Sequence, residues 1–370
     1  MKTKNLKLIA ISFTTIIFSC NRTDFSNPED VLKNYCELAD KNENGKLYDD
    51  YLSSNSKEFV TKDEFIKSAM LADSTLMQFN IIDKKISAYP VDVNKPTYRR
   101  YKEEKAYLYK KDTMKIKARW YYTLINENGN WKVIWTNTLL SFAVQKSFDG
   151  NYSEARKTLE KIIEINPFNG DAYDALASAY YRDESLPPNE KENGIVKNAK
   201  YALTLEEDIS THYNTISTYY INIGNYDLAI QNLERGIEYC LNTSEKQTFY
   251  SNIGTCYTSL AKYDKAEEAI KKSLDINDDD TFTWFRYGIL MYAQAKNDSA
   301  IICLEKAISL PKMENSLQGS LYYCYALSCF AVNKCSTAKE YIVKALDINP
   351  SDPTYQYFYN KTKKCNELKN

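Results

Sequence analysis

Histidine and cysteine, the residue types most used in metal sites and nucleophilic catalysis, show no spacing typical of such a site in this chain. The single histidine, His212, excludes metal sites built from several histidines and leaves a serine–histidine–aspartate arrangement only one candidate base. It lies at the outer start of a helical segment, where we expect an exposed structural side chain. None of the nine cysteines is spaced as a CxxC metal motif. We therefore predict no catalytic site, no bound metal and no cofactor.

One cysteine, Cys20, is placed for a covalent modification. It follows a lysine-containing start and a short apolar run, Leu8–Phe18, which is too short to span a bilayer. The run ends in Ser19-Cys20 and resembles a bacterial lipobox, in which the cysteine is lipidated and becomes the mature N-terminus. This resemblance implies a signal peptide at 1–19 and a lipidated tether at 20–27. The mature protein would be lipid-anchored in the bacterial cell envelope, outside the cytoplasm. The alternative is an ordinary cleaved signal peptide with an incidental cysteine.

The other eight cysteines lie mostly in helical patterns, where a small buried apolar residue is expected. We predict that they fill the core as thiols. An oxidising compartment would also permit a disulfide among Cys324, Cys329 and Cys335.

Charge and composition limit the class of partner. The formal net charge of -1 argues against a nucleic-acid binder, which would carry a basic field. With 44% hydrophobic and 26% charged residues, the composition is that of a folded soluble protein. We expect no nucleic acid among the partners.

Residues 28 to 138 predict a small α+β domain. Asn27-Pro28 has the character of a helix start, and Thr61 caps a later helical segment. The period then changes, and Phe79–Ile86, Tyr98–Tyr109 and Lys115–Ile125 are typical of strands. Asn128-Gly129 between two aromatic strands is a strong hairpin signal. Helices followed by an antiparallel sheet give an α+β order.

This region resembles the nuclear-transport-factor-2-like (NTF2-like) cone fold, and most of all the non-catalytic N-terminal domain of low-affinity penicillin-binding proteins. The residues carrying the resemblance are Leu52–Ser54, Lys62–Phe65 and the closing Asn130–Leu139. Some cone proteins are isomerases or dehydratases, so the resemblance implies an alternative function as an isomerase or small-ligand binder. The candidate acid, base and oxyanion residues would be Asp83, Asp92, Tyr107 and Tyr121. We favour the alternative that the rings fill the cone and the acids are solvated.

A repeated pattern runs through residues 139 to 352. Asn225–Ile230 matches Lys262–Glu267 and also Asn151–Arg156. Six marker positions follow from it, with gaps of 40, 34, 37, 34 and 38 residues: Ala155, Ile195, Ala229, Ala266, Ala300 and Ala338. The longer gaps predict loop insertions, the largest at 184–193.

These repeats resemble the tetratricopeptide repeat (TPR) family, whose unit has 34 residues. In the fourth unit, Tyr250, Ile253-Gly254 and Tyr257 match the first helix (helix A), and Ala266 and Ile270 match the second (helix B). We predict an all-α TPR solenoid of about six helical hairpins over 139–352, closed by a C-terminal cap helix at 353–370.

In this family helix A lines the concave face, which implies the positions that a partner would meet. The residues at these positions are polar in the middle of the groove and aromatic toward its C-terminal end. The Lys/Asn/Arg clamp that chaperone-binding relatives use is absent. We predict a patch for a partner's apolar side chains, formed by Phe282, Phe285, Ile289, Tyr292, Tyr323, Leu327 and Phe330. The alternative is that these rings pack on one another or under the cap helix.

The sequence thus predicts a non-catalytic, lipid-anchored envelope scaffold or adaptor that binds envelope proteins or peptides. The rival is a ligand-binding or isomerase-like cone domain. A glycan-handling outer-membrane lipoprotein is a third alternative, since one such family also carries these repeats.

Overall fold

The computed structural model describes residues 25–76, 79–89, 97–109, 115–311, 313 and 315–364. Cys20 and the predicted signal peptide lie outside these described residues. The chain divides after Ala172 into two compact units, which we call the N-terminal unit and the repeat unit.

Short helices open the N-terminal unit. Asn27 caps the first helix through a side-chain bond to the amide of Glu29. Thr61 and Glu64 exchange bonds at the start of the last one, which forms a capping box. The second is a short α-helix that continues as a π-helical turn, Leu47–Tyr51. The α-helices are α1 (Pro28–Asp40), α2 (Asn44–Lys46), α3 (Ser54–Lys57) and α4 (Lys62–Leu76).

Four strands follow and form one antiparallel sheet in chain order. The turn between the last two strands has positive φ at both Asn128 and Gly129, as a two-residue hairpin requires. The predicted strands and hairpin are therefore confirmed. The strands are β1 (Phe79–Tyr89), β2 (Tyr98–Tyr109), β3 (Lys115–Glu127) and β4 (Asn130–Val133).

A bulge in β1 decides which of its residues share a sheet face. Ile81 pairs with Tyr107 but Asp83 pairs with Ala106, so one extra residue is accommodated between them. Because side chains alternate along a strand, this insertion exchanges the faces of all later β1 residues. Lys84 thereby lies on the same face as Glu103, whereas Asp83 lies on the opposite face.

The core of this unit joins α1 to the sheet. Val31, Leu32, Tyr35 and Cys36 recur at helical spacing and are buried, as the pattern predicts. They pack against residues of β2, β3 and β4 in one cluster. Besides Tyr35, this cluster holds four buried rings, namely Tyr51, Phe65, Tyr101 and Trp131.

Two further helices, α5 (Asn137–Phe148) and α6 (Tyr152–Ile165), also belong to the N-terminal unit. By sequence they form the first repeat hairpin, and Ala155, Leu159 and Ile162 are buried as that pattern requires. The domain boundary at residue 138 stays a prediction.

Helical hairpins make up the rest of the chain. In each, a helix A and a helix B form the closest contacts. We call α9, α11, α13 and α15 the A-helices, and α10, α12, α14 and α16 the B-helices. The helices are α7 (Gly170–Arg182), α8 (Pro188–Leu205), α9 (Ser210–Asn222), α10 (Tyr226–Tyr239), α11 (Thr243–Ser259), α12 (Tyr263–Ile276), α13 (Thr281–Ala293), α14 (Asn297–Ser309), α15 (Asn315–Ala331), α16 (Cys335–Ile348) and α17 (Pro353–Lys364).

Small residues allow the two helices of a hairpin to approach closely. The markers Ala229, Ala266 and Ala300 are fully buried. A Cβ added at Gly254 would lie 2.6 Å from Ile270 Cγ1, and one at Gly288 would lie 2.5 Å from Leu304 Cδ2. These positions must therefore stay small.

The longer gaps between repeats have a different origin from the one predicted. Three helices, α8, α11 and α15, have 18, 17 and 17 residues, whereas α9 and α13 have 13. The extra residues of these units therefore add about one helical turn rather than loop. Only the 184–187 part of the largest insertion lies outside a helix.

The last helix, α17, covers the end of the repeat unit. Tyr355 and Phe358 are buried against α15 and α16, while Tyr357 is 65% exposed. This amphipathic arrangement is the one expected of a cap helix. Among the described residues, no helix combines the length and apolar character needed to cross a membrane.

Candidate protein-binding face

The A-helices form one continuous face of the repeat unit. Successive A-helices contact one another, from α9 to α11, to α13 and to α15, more closely than successive B-helices do in the described chain. In a curved stack the closer helices lie on the inner side. We call this surface the A-helix face.

The two sets of helices differ in charge. The B-helices carry several lysine, arginine, aspartate or glutamate residues each, as in α12 with its ion pairs Lys271–Glu267 and Lys272–Glu268. Beyond their first four residues, the four A-helices contain a single charged side chain, that of Arg286. The A-helix face is therefore nearly uncharged.

Short polar side chains link neighbouring A-helices. The Asn252 amide donates to Asn214 Oδ1 at 3.2 Å, between α11 and α9. Arg286 Nη1 donates to Ser251 Oγ at 2.6 Å, between α13 and α11. Part of the polar surface of α9, α11 and α13 therefore already bonds within the protein.

The predicted apolar patch divides into parts with different surroundings. Phe282 and Tyr292 on α13 are each 39% exposed, and Ile289 is half-buried. Phe285 is only 8% exposed and belongs to the core shared by the last repeats. The solvent-facing part on α13 is therefore Phe282, Ile289 and Tyr292.

The other part of the patch lies on α15, under the cap helix. The ring centroid of Tyr323 lies 5.2 Å from that of Tyr355 and 5.7 Å from that of Phe358. Phe330 lies 5.4 Å from Phe358, and Leu327 packs in the same cluster. Tyr323, Leu327 and Phe330 therefore pack under the cap helix, which is the alternative to an exposed patch.

His212 is fully buried, contrary to the expectation of an exposed side chain. Its Nε2 lies 3.3 Å from Glu206 Oε2, and its Nδ1 lies 3.6 Å from Asp174 Oδ1. Burial alone would lower the pKa of His212, but Asp174 and Glu206 outweigh it and raise the pKa to about 10. The imidazolium therefore joins α7, α9 and the end of α8 as a structural ion-pair centre.

A second buried ionic centre lies in the N-terminal unit, and sequence reasoning missed it. Glu103 is fully buried, 3.2 Å from Lys84 and 3.4 Å from Lys105. Asp40 of α1 lies 2.7 Å and 2.6 Å from the same two ammonium groups. Tyr122 donates to Glu103 Oε2 at 2.9 Å. We call these five residues the sheet ion cluster; its two acids and two lysines balance in charge.

The pKa directions in this cluster agree with charge pairing. Burial alone would raise the pKa of the Asp40 carboxyl, but bonds to Lys105 and Lys84 lower it overall. Burial alone would lower the pKa of Lys105, but Asp40 and Glu103 raise it. The adjacent Cys36 thiol has a pKa raised chiefly by burial, so it stays protonated and unreactive.

The candidate acid and base residues of the cone do not join this cluster. Asp83 is exposed, and the β1 bulge places it on the opposite face. Tyr121 stacks edge-on against Tyr89 at 5.0 Å and lies 5.8 Å from the buried Arg100 guanidinium. Asp92 lies outside the described residues, and only the backbone of Tyr107 is described.

A groove of about 420 Å³ opens among α10, α11 and α12. Tyr250 and Tyr257 form its rings, and Lys272 and Lys265 lie over them at 5.8 Å and 5.6 Å. The acids Glu234 and Glu268 also line it. Its charges are mixed, so it shows no preference for either sign of ligand.

Three cysteines of the repeat unit, Cys256, Cys303 and Cys329, are buried free thiols, as predicted, but the prediction is wrong for Cys335, which is not a thiol. Cys256 and Cys329 are fully buried, and Cys324 is also a free thiol. Cys335 is disulfide-bonded. No disulfide therefore forms between Cys324 and Cys329.

Comparison with known proteins supports the repeats. The model of the tetratricopeptide repeat family matches residues 213–243 and 248–280, which cover α9–α10 and α11–α12. No curated protein matches the chain.

Solved structures extend the similarity over more of the chain. A structure of pilF from Pseudomonas aeruginosa is 18% identical, with a TM-score of 0.50 over 61% of this chain and 96% of that one. PilW, described as a widely conserved type IV pilus biogenesis factor, is 15% identical, with a TM-score of 0.50 over 60% and 97%. The Cut9–Hcn1 complex of the APC/C is 15% identical, with a TM-score of 0.52 over 61% and 42%. At these identities the similarity shows the fold alone, a solenoid of tetratricopeptide repeats.

Proposed function

We propose that this protein is a non-catalytic scaffold or adaptor that binds an extended segment of another protein on its A-helix face. The observation that carries the proposal is the contrast in charge between the two sets of helices. The A-helix face is nearly uncharged and exposes Phe282 and Tyr292, whereas the B-helices carry the charged residues. Exposed rings beside short polar groups suit a peptide that offers both apolar side chains and backbone bonds.

We further propose that the protein is anchored by lipid at Cys20 in the bacterial cell envelope. The export signal and the lipobox-like Ser19-Cys20 support this placement. The description of PilW as a pilus biogenesis factor supports an envelope role for proteins with this arrangement of repeats. Its partners would then be envelope proteins or peptides.

For the N-terminal unit we propose the NTF2-like cone fold in a structural role. The antiparallel sheet that packs on α1 supports this fold. The isomerase-like alternative gains little support, because the buried acid Glu103 is neutralised by two lysines and Asp83 is exposed. A general acid or base needs a carboxyl whose proton is free to move toward a substrate.

Site-specific photo-crosslinking in intact cells tests the binding proposal. A photoreactive residue at position 282 should attach a discrete partner. The matched control is position 302 on the B-helix α14, where Ile302 is 66% exposed. Equal labelling from both positions, or none from position 282, would contradict the proposal.

A separate experiment tests the anchor. Cells supplied with an alkyne-tagged fatty acid should label the wild-type chain and retain it in the membrane fraction. Cys20→Ser should lose both the label and the membrane association. A labelled Cys20→Ser chain would exclude this cysteine as the lipidation site.

A further inference from the structure

Arg286 is a half-buried cation that forms no ion pair among the described residues, unlike the buried charges Glu103 and His212. Its one hydrogen bond within the described residues is to the neutral Ser251 hydroxyl, and it forms no ion pair there. By contrast, Glu103 lies near two lysines and His212 near two carboxylates. Buried guanidinium groups are normally paired with an acid, because removal of a charge from water is costly.

The nearest acid is already engaged elsewhere. Asp280 caps α13, and its Oδ2 accepts from the Thr283 amide at 2.8 Å and from the Thr283 hydroxyl. Burial lowers the pKa of Arg286, and the charge of Asp280 offsets this only in part. A guanidinium has five N–H donors, and Ser251 accepts from one of them. The remaining donors suit a carboxylate, which can accept two of them side by side.

The helix places this cation between apolar groups. Phe282, Arg286 and Ile289 recur at i, i+4 and i+7, so they share one stripe of α13. The stripe lies on the α11 side of the A-helix face: Arg286 reaches Ser251 on α11, while Phe282 is exposed. A segment lying along this face would thus meet a ring, a guanidinium and an aliphatic side chain in succession.

We propose that the A-helix face selects a segment in which an aspartate or glutamate is flanked by apolar residues, and that Arg286 binds this carboxylate. The inference rests on the proposed function and names the chemistry of the partner. Charge complementarity carries it: beyond the first turns of the four A-helices, the one charged side chain is a cation that forms no ion pair among the described residues. The segment's acid would supply the missing charge, while Phe282 and Ile289 would contact the neighbouring apolar side chains.

Selection from a phage-displayed library of random twelve-residue peptides tests this inference on the full-length chain in detergent solution. The wild-type chain should recover peptides enriched in Asp or Glu beside apolar residues. Arg286→Gln should lose the acidic enrichment. The control is Arg235→Gln on the B-helix α10, whose side chain is 57% exposed and pairs with Glu207; it should retain the enrichment.

A recovered peptide then gives a quantitative test. Replacing its acid by the amide should weaken binding to the wild-type chain about tenfold or more, as expected for a hydrogen bond to a charged group. The same replacement should change binding to Arg286→Gln less than about twofold, since the two changes remove the same interaction. Circular dichroism melting of each variant shows that the repeat unit remains folded.

The outcomes separate this inference from the proposed function. If peptides bind and Phe282→Ser abolishes their binding, but acids are not enriched, the face binds segments and the role of Arg286 is wrong. If the acidic enrichment is the same for Arg286→Gln, the inference is also wrong. If Phe282→Ser leaves peptide binding unchanged, the proposed function itself fails.

Discussion

The two units of this protein bury charge in different ways. The N-terminal unit holds a balanced cluster, in which Glu103 and Asp40 face Lys84 and Lys105. The repeat unit buries His212 between two carboxylates but leaves Arg286 against a hydroxyl. Paired charges hold elements together, and breaking such a pair is costly. A half-buried charge that forms no ion pair stabilises the fold little by itself, which leaves it available to a partner.

The largest effect is expected from Glu103→Ala. It leaves two lysines facing a single acid, Asp40, so we expect a loss of about 3–5 kcal/mol in the free energy of unfolding. Urea denaturation followed by tryptophan fluorescence measures it, because three of the four tryptophans lie in the N-terminal unit. Glu104→Ala is the control: its side chain is 37% exposed, and its ion pairs are worth at most about 1 kcal/mol. Equal losses would show that burial does not set the strength of this cluster.

The next effect is expected from His212→Ala in the repeat unit. Two carboxylates would then face each other without the imidazolium, at a cost of about 2–3 kcal/mol. The folded pKa of about 10 lies above the unfolded value of 6.5, so the ion pairs contribute fully below pH 6.5. This contribution is lost as the pH rises through 10. The difference in free energy of unfolding between wild type and variant should therefore be larger at pH 6 than at pH 10, and a constant difference would show that His212 is neutral.

A packing change without charge gives an intermediate effect. In Gly288→Ala the new methyl group would meet Leu304 at 2.5 Å, and overpacking of this kind costs about 1–3 kcal/mol. Gly319→Ala is the matched change in another A-helix, where the nearest atom is the Tyr355 hydroxyl at 3.3 Å. Thermal melting should show a clear loss for position 288 and little change for position 319. The reverse order would contradict the close approach of α13 and α14.

The smallest effect on stability is expected from Arg286→Met. The change removes a desolvated charge that has no counter-ion, so the free energy of unfolding should stay equal or rise by up to about 1 kcal/mol. Urea denaturation of wild type and variant measures it. A loss as large as that of Glu103→Ala would make Arg286 a structural group and remove the contrast between the two units.

Much of the fold follows from patterns that the sequence displays directly. The helical period of α1, the Asn128-Gly129 turn and the recurring alanine markers each depend on neighbours in the chain. The structure confirms all three. Local periodicity therefore predicts which elements form and which of their faces is buried.

The ionic centres depend on features that no local pattern displays. The bulge between Ile81 and Asp83 brings Lys84 to the face of Glu103, and without it Asp83 would share that face. The burial of His212 requires Asp174 and Glu206 from other elements of the stack. The predicted apolar patch divides into an exposed and a covered part because of α17, which covers Tyr323, Leu327 and Phe330 but leaves α13 exposed.

Because α17 covers α15, it also limits the length of the A-helix face that stays open to a partner. It leaves α9, α11 and α13 as the open A-helices of the repeat unit. Neighbouring packed helices lie about 10 Å apart, so the open stretch from α9 to α13 measures about 20 Å. An extended chain advances about 3.3 Å per residue, so this stretch matches about six residues. The cap helix thus limits the length of the segment that the A-helix face can bind. Each added repeat would lengthen that segment by about three residues.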